Sequence, residues 1–207
     1  MMKNFLLFLL FLYSFNGFTQ ELTRINTNLG LSDSLTNSVE IRVYQGFGIT
    51  NYTSVFRMFK NESDSWKAEF CEHFAAVPNH SGLRVEKRKL KPETDFEYVF
   101  QNLLRSNIQN IPSDDKINWK FAKRNPVKLI ENQVRGKVYS EYSYVKTITS
   151  ILDGTSYTFQ FKDLNKTNTF HYSNPESYLK IYPEVDELMY VCEMISLLRN
   201  QFGIWKD

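Results

Sequence analysis

The sequence has few of the residues on which most enzymatic sites depend. Its 207 residues include only three histidines and two cysteines. It contains no G-x-S-x-G, H-E-x-x-H, G-x-x-x-x-G-K or G-x-G-x-x-G stretch. Those spacings are typical of serine hydrolases, zinc proteases, phosphate-binding loops and dinucleotide-binding folds. We therefore predict no catalytic residue and no cofactor from motifs.

The histidines do not form a metal-binding pattern. A zinc site needs three or four His, Cys or carboxylate ligands that converge on one point. His73 and His80 lie near Glu69 and Glu72 in the chain, and His171 is distant from all four. Their spacing matches no ligand motif, and strand geometry places Glu69 and Glu72 on opposite faces. We predict no metal site.

Long apolar runs are missing after the first twenty residues. Lys3 precedes the run Phe5–Phe15, which holds eleven residues. A helix needs about 20 apolar residues to cross a bilayer, whereas eleven suits the core of a secretory signal. The alternatives are an N-terminal buried helix or a short anchor.

Small residues stand where a signal peptidase would need them. Gly17 and Thr19 supply the −3 and −1 positions of a cut before Gln20. A cut after Gln20 fits almost as well. We therefore predict that residues 1–19 are a signal peptide and that the remainder is exported to the periplasm or beyond, soluble and without a membrane span.

A strong charge of one sign is also missing. The chain carries 25 basic and 23 acidic residues, so its net charge is +2. The middle, from Gly82 to Lys137, holds 13 basic and 7 acidic residues and is +6, while both flanking segments are slightly negative. So mild an asymmetry does not favour nucleic acid as a partner.

The two cysteines leave two alternatives open. Export would permit a disulfide between Cys71 and Cys192. Because Cys71 lies in a strand pattern and Cys192 in a helix pattern, the bond requires that helix to cover that strand. The other alternative is a pair of independent, buried, reduced thiols.

Alternating residues predict strands in the first half of the chain. Apolar residues alternate with polar ones from Val39 to Tyr44, as in a half-buried strand. A second strand at about 49–60 is apolar on both faces, which suggests a central position, and a third covers 65–74. A capping box at Thr94–Glu97 then opens a helix with one apolar face.

The second half repeats this order. Strands are predicted at 142–152, 155–162 and 167–172, the first two joined by a hairpin turn at Asp153-Gly154. A short helix opens at Asn174-Pro175. A longer one starts near Glu184 and ends before Gly203, with one apolar stripe that includes Leu188, Val191, Cys192, Ile195 and Phe202.

These patterns predict a single α+β domain over residues 20–207. It would consist of two similar β-β-β-α units, at about 38–112 and 138–207, joined by a basic connection. The antiparallel meanders would carry two main helices. They could share one six-stranded sheet with both helices on one face, or form two small sheets packed together.

The densest charge run, RVEKRKLK, is the strongest binding signal. It could contact an acidic protein, an anionic glycan or a lipid headgroup surface, or it could be an ordinary solvated strand or loop. A second basic cluster lies at 120–128, and convergence of the two would strengthen the binding hypothesis. The predicted ligand-binding residues are Arg84, Lys87, Arg88, Lys89 and Lys91.

Two stretches near the C-terminus carry a resemblance. ILDGTSYTFQF followed by FHYSNPESY, within Ile151 to Glu187, resembles a C-terminal pattern that recurs in small secreted proteins of bacteria with AT-rich genomes. The leader resembles theirs as well. The resemblance implies export and no particular activity, because that group has no assigned chemistry to transfer.

A well-patterned core without a catalytic constellation favours a non-enzymatic, exported binding or accessory protein. The alternatives are an extracytoplasmic hydrolase with a site assembled across the fold, and a periplasmic neutraliser of a toxin or protease. An enzyme should show a deep pocket with convergent titratable groups, for example around Glu69, His73 and His171. A binding module should show a shallower basic or aromatic face.

Overall fold

The computed structural model describes residues 20–47 and 50–206. The predicted signal peptide lies outside them. The described part contains ten strands, five α-helices and a 3-10 turn at Asn118–Lys120. The strands are β1 (Val39–Phe47), β2 (Tyr52–Lys60), β3 (Trp66–Phe74), β4 (Arg84–Leu90), β5 (Ala122–Arg124), β6 (Lys128–Val134), β7 (Lys137–Ser143), β8 (Lys146–Ile148), β9 (Thr155–Asp163) and β10 (Lys166–Ser173). The helices are α1 (20–29), α2 (Phe96–Arg105), α3 (Asp114–Ile117), α4 (Pro175–Ile181) and α5 (Asp186–Phe202).

Six strands form one antiparallel sheet in the order β10-β9-β1-β2-β3-β4. The fold is therefore mixed α+β with antiparallel strands. The centre of the sheet is where the sequence is most apolar: β2, which has buried residues on both faces, lies between β1 and β3. Residues from both halves of the chain share this sheet.

One face of the sheet carries the main core. Side chains of β1, β2, β3, β9 and β10 pack there against α2 and α5. Val99 and Leu103 of α2 and Leu188 and Ile195 of α5 are fully buried. The rings of Phe100 and Phe161 stack at a centroid distance of 6.5 Å. Of the apolar stripe predicted for the last helix, Leu188, Val191, Ile195 and Phe202 belong to this core, whereas Cys192 is half-buried and does not.

The opposite face is covered in part by α1. Ile25 and Leu29 pack on Tyr44, Val55 and Cys71 in a second, smaller cluster. Beside it lies a buried ionic network. In it, the Glu40 carboxylate accepts hydrogen bonds from the Nε atoms of Arg42 and Arg57, each at 2.7 Å. Arg42 also donates to the carbonyls of Ser32 and Ser34. The network fixes the loop after α1 on the sheet.

The prediction of two similar β-β-β-α units is not confirmed, because the second half supplies only two strands to the sheet and the first half supplies four. The predicted strand at 142–152 is wrong. Its first residues end β7, a short piece forms β8, and 149–154 is irregular. The apolar side chains of this segment show why, because the alternation does not reflect a buried face: the exposed ones include Tyr142, Tyr144, Val145 and Ile148.

Asp153-Gly154 is consequently not a hairpin turn. It leads into β9, and Gly154 has φ 149°. A Cβ on Gly154 would lie 1.7 Å from Oδ1 of Asn174. The positive φ favours glycine here, and a side chain would in addition have to displace that of Asn174.

The first predicted cap is displaced by one residue. Asp95, not Thr94, caps α2, since its carboxylate accepts from the backbone N–H of Tyr98 at 2.7 Å. Thr94 instead donates to the side chain of Gln201 at 2.9 Å. At the end of α5, Gly203 is the predicted C-cap, with φ 63°.

The disulfide alternative is wrong for this fold. Cys71 is buried under α1, whereas Cys192 lies on α5, which covers the other face of the sheet. Both cysteines are free. The condition that the last helix should cover Cys71 is not met. Within the described residues, no helix has the length and apolar character needed to cross a membrane.

Candidate ligand-binding cleft

The predicted basic run forms β4, which pairs only with β3 at the edge of the sheet. Alternation along the strand divides its cations between the two faces. Arg84 and Arg88 lie over the rings of Phe74 and Phe70, at 4.0 and 5.1 Å.

The other cations of the run lie elsewhere. Lys87 forms an ion pair with Glu69 at 2.9 Å on the α1 side. Lys89 shares that side, and Lys91 follows the strand. The five predicted ligand-binding residues therefore do not form one patch, and only Arg88 lines a cleft described here. In the second basic cluster, Lys120 is paired with Glu187 at 2.8 Å.

The cleft lies at the end of the core face, where α2 and the body of α5 no longer cover the sheet. Its volume is about 580 Å³. The rows of apolar residues on β1, β2 and β3 end there in Gln45, Ser54 and Glu72. Helix α4 and the segment after α5 form its other wall. Side chains with charge or aromatic rings dominate the lining: Tyr52, Phe70, Glu72, Arg88, Tyr157, Glu176, Lys180, Arg199, Trp205 and Lys206.

A chain of hydrogen bonds fixes the aromatic floor. The indole Nε1 of Trp205 donates to Ser54 at 2.8 Å, and the Ser54 hydroxyl donates to Gln45 at 3.1 Å. Gln45 donates to the Tyr157 hydroxyl at 3.0 Å. The Tyr157 and Trp205 rings meet edge to face at 5.6 Å. Because Gln45 and Ser54 are buried, this arrangement is held by the fold before any ligand arrives.

The charged groups of the cleft leave an excess of cations. Arg199 holds both oxygens of Glu176, at 2.9 and 3.3 Å. Among the described residues, Arg88, Lys180 and Lys206 make no ion pair within 4.0 Å. Counting all six charged lining residues, four basic against two acidic gives +2.

The second carboxylate of the cleft, Glu72, has a neutral partner. The Tyr52 hydroxyl donates to it at 3.0 Å. Burial, and then the adjacent Glu72, raises the pKa of Tyr52 to about 12. Tyr52 therefore stays a neutral donor in neutral solution. Burial likewise raises the pKa of Tyr157, so both phenols stay protonated in neutral solution, and the proton of Tyr52 is already donated to Glu72.

A second cavity, of about 370 Å³, opens on the other face between α1, β2 and the segment before β9. His171 lines it. The two ring nitrogens of His171 contact Thr158 at 3.0 Å and Ser173 at 3.2 Å, and burial lowers the pKa of the ring. These contacts with its own sheet give His171 a structural role.

The pocket that would favour an enzyme is not formed. Glu69 and His73 lie on β3, and His171 lies on β10, four strands away. At about 4.8 Å per strand, that separation is about 19 Å. Glu69 is engaged by Arg57 and Lys87, and His73 is buried and contacts Asn28 at 2.9 Å. In the described part of the chain, no three His, Cys, Asp or Glu side chains are placed to share a metal ion.

The chain matches no protein-family model, no curated protein and no solved structure. The cleft therefore has to be interpreted from its own chemistry. Sequence reasoning found Arg88 but missed Trp205, Tyr157 and Arg199. The available signal was the interruption of three apolar rows by Gln45, Ser54 and Glu72, which becomes visible only when the strands are aligned.

Proposed function

We propose that this chain is an exported, non-enzymatic binding protein whose cleft takes an anionic glycan. The observation that carries the proposal is an open cleft of ligand size with an aromatic floor and three cations that have no ion-pair partner in the part of the chain that the structure describes. Cavities of about 300–1,000 Å³ are usual for small ligands. The volume of about 580 Å³ suits a saccharide unit better than the face of a protein.

The lining offers complementary contacts to an acidic sugar. Trp205 is half-buried and presents apolar ring surface, which suits the C–H surfaces of a sugar, while the buried Tyr157 supports the Trp205 ring by an edge contact. Arg88 can bind a carboxylate or sulfate through two parallel hydrogen bonds. Lys180 and Lys206 add mobile charges that can follow ligands of different length.

The exported location rests on the leader. A short apolar run after Lys3, with small residues before Gln20, is typical of a secretory signal. Anionic glycans are abundant outside the cytoplasm, so location and ligand class agree. Sequencing the native protein from its N-terminus tests this part: a start at Gln20 or Glu21 supports export, and a start at methionine contradicts it.

The hydrolase alternative has one observation in its favour, because the cleft holds two carboxylates, Glu72 and Glu176. Both oxygens of Glu176 are bound to Arg199, and Glu72 is bound by Tyr52. Carboxylates committed in this way act as structural anchors for Arg199 and Tyr52. We therefore favour binding without turnover.

The experiment is a comparison of anionic glycans with their neutral counterparts. Purified protein is titrated with uronic acid oligosaccharides, sulfated oligosaccharides and matched neutral oligosaccharides, and both binding and new reducing ends are measured. We expect binding of the anionic set that weakens with salt, and no cleavage. Equal binding of the neutral set contradicts the ligand class, and cleavage contradicts the non-enzymatic assignment.

A further inference from the structure

The exposed apolar side chains of the protein are concentrated in one segment. Of 17 exposed large hydrophobic residues in the described chain, 11 lie between residues 127 and 152. They are Val127, Leu129, Ile130, Val134, Val138, Tyr139, Tyr142, Tyr144, Val145, Ile148 and Leu152. We call this segment the apolar hairpin region. Apolar surface clustered in this way usually marks a contact with another molecule or a membrane.

The hairpin itself, β6–β7, is a separate two-stranded sheet. Every residue of β6 is exposed, and so is every residue of β7 except Ser143, which is half-buried. A lone two-stranded hairpin is at best marginally stable in water. Its tip is a tight turn in which Arg135 and Gly136 both have positive φ, 51° and 76°, as type I′ turns require. The turn places charged and apolar side chains together at the end of the ribbon.

Both faces of this ribbon carry exposed apolar side chains among polar ones. The register places Leu129 opposite Tyr142 on one face, with Val138 further along. The other face carries Ile130, Val134 and Tyr139. A folded protein partner normally covers one face of a ribbon. A surrounding medium contacts both faces, so the pattern favours a lipid interface over a single protein surface.

The basic residues of the apolar hairpin region favour a membrane that contains anionic lipid. Between residues 127 and 152 there are four basic and two acidic residues, which gives +2, equal to the total of the whole chain. Arg135 and Lys137 stand at the tip between Val134 and Val138. Basic residues at a membrane surface are attracted by anionic headgroups, and tyrosines favour the interfacial layer.

We propose that the apolar hairpin region docks the protein on a membrane surface that contains anionic lipid. The outer edges of β6 and β7 have backbone groups without strand partners in the described chain. Unpaired backbone groups are too costly to enter the hydrocarbon core. The hairpin therefore stays at headgroup depth, where water is present, and its turn at Arg135-Gly136 is the part that is inserted most deeply. This docking is independent of the cleft, which is formed by other elements.

Sedimentation with vesicles tests the proposal on the full mature chain. We expect binding to vesicles of phosphatidylglycerol and phosphatidylcholine in equal parts, and none to phosphatidylcholine alone. Arg135→Gln/Lys137→Gln should weaken partitioning about 30-fold, the effect of two surface charges. Val134→Ser/Val138→Ser should weaken it about tenfold.

The control is Leu164→Ser, because Leu164 is an exposed apolar residue at the tip of the β9–β10 turn. It should bind vesicles as the parent does. Thermal unfolding of all three variants should match the parent, since none of these side chains belongs to the core. Equal binding to both kinds of vesicle, or unchanged binding by the tip variants, overturns the proposal. A dimer that dissociates in Val134→Ser/Val138→Ser, without vesicle binding, also overturns it and makes a second copy the occupant.

Discussion

Cys71 and Cys192 lie on opposite faces of the six-stranded sheet. Cys71 is buried among residues of α1 and the sheet, and Cys192 lies on the helix that covers the other side. Export would have permitted a bond between them, but the sheet separates their sulfur atoms. The arrangement makes both thiols independent.

Burial makes these thiols slow to react. It raises the pKa of Cys71 to about 11 and that of Cys192 to about 12, and the thiolate is the reactive form. At pH 8 we expect no iodoacetamide adduct on the native protein and two adducts in guanidinium chloride without reductant, measured by intact mass. A denatured protein that takes up adducts only after reduction would show a disulfide instead.

The Glu40 network should make stability sensitive to acid. Burial alone would raise the Glu40 pKa, but hydrogen bonds from Arg57 and Asn37 and the charge of Arg42 lower it from 4.5 to about 2. Because the folded pKa lies below the unfolded one, the stabilisation is present above about pH 5 and disappears as the pH falls towards 2. A shift of this size corresponds to about 3 kcal/mol.

Urea unfolding at several pH values checks this expectation with Glu40→Gln and Glu62→Gln. Removing one member of a buried pair should cost Glu40→Gln about 3–5 kcal/mol at pH 7, and its stability should then fall less steeply in acid than that of the parent. Glu62 is exposed, so Glu62→Gln should follow the parent. An acid profile of Glu40→Gln parallel to the parent's would remove the network as the cause.

The last helix should stabilise the fold through one face. Leu188 and Ile195 are fully buried against the sheet, whereas the neighbouring Met189 is 39% exposed. Leu188→Ala or Ile195→Ala should lower the free energy of unfolding by about 2–5 kcal/mol. Met189→Ala should change it by about 0.5 kcal/mol at most. Equal effects of Leu188→Ala and Met189→Ala would mean that α5 does not pack through this face.

The sequence predicted the elements that have a regular apolar row, although β1, predicted to be half-buried, is buried on both faces, since Glu40, Arg42 and Tyr44 are buried too. Alternation revealed β1, β3 and β9, and the apolar stripe with Gly203 revealed α5 and its end. The edge strand β4 and the β6–β7 hairpin were not predicted. A strand that is exposed on both faces does not require apolar and polar residues to alternate. The sequence also did not predict that Cys71 lies on the sheet face opposite α5, because local patterns do not show which face of a sheet a distant helix covers.

The cleft was predictable only in part. Arg88 stood out in a dense charge run, but half of that run points away from the cleft, a division that follows from strand alternation once the strand is known. Trp205 and Tyr157 lie far apart in the chain and meet only through Ser54 and Gln45. A site formed by tertiary contacts between single polar residues leaves no motif in the sequence.

The most direct test of the anionic cleft is a titration of two variants of one strand. Arg88 lines the cleft, and Lys89, the next residue, lies on the opposite face of β4. The probe is the uronic acid or sulfated oligosaccharide that binds the parent protein most tightly in the glycan comparison. Its binding to each variant is measured by calorimetry in low salt. Losing a charge-assisted hydrogen bond should weaken binding to Arg88→Gln by a factor of ten or more, whereas Lys89→Gln should bind as the parent does. Equal affinities of the two variants would contradict the account.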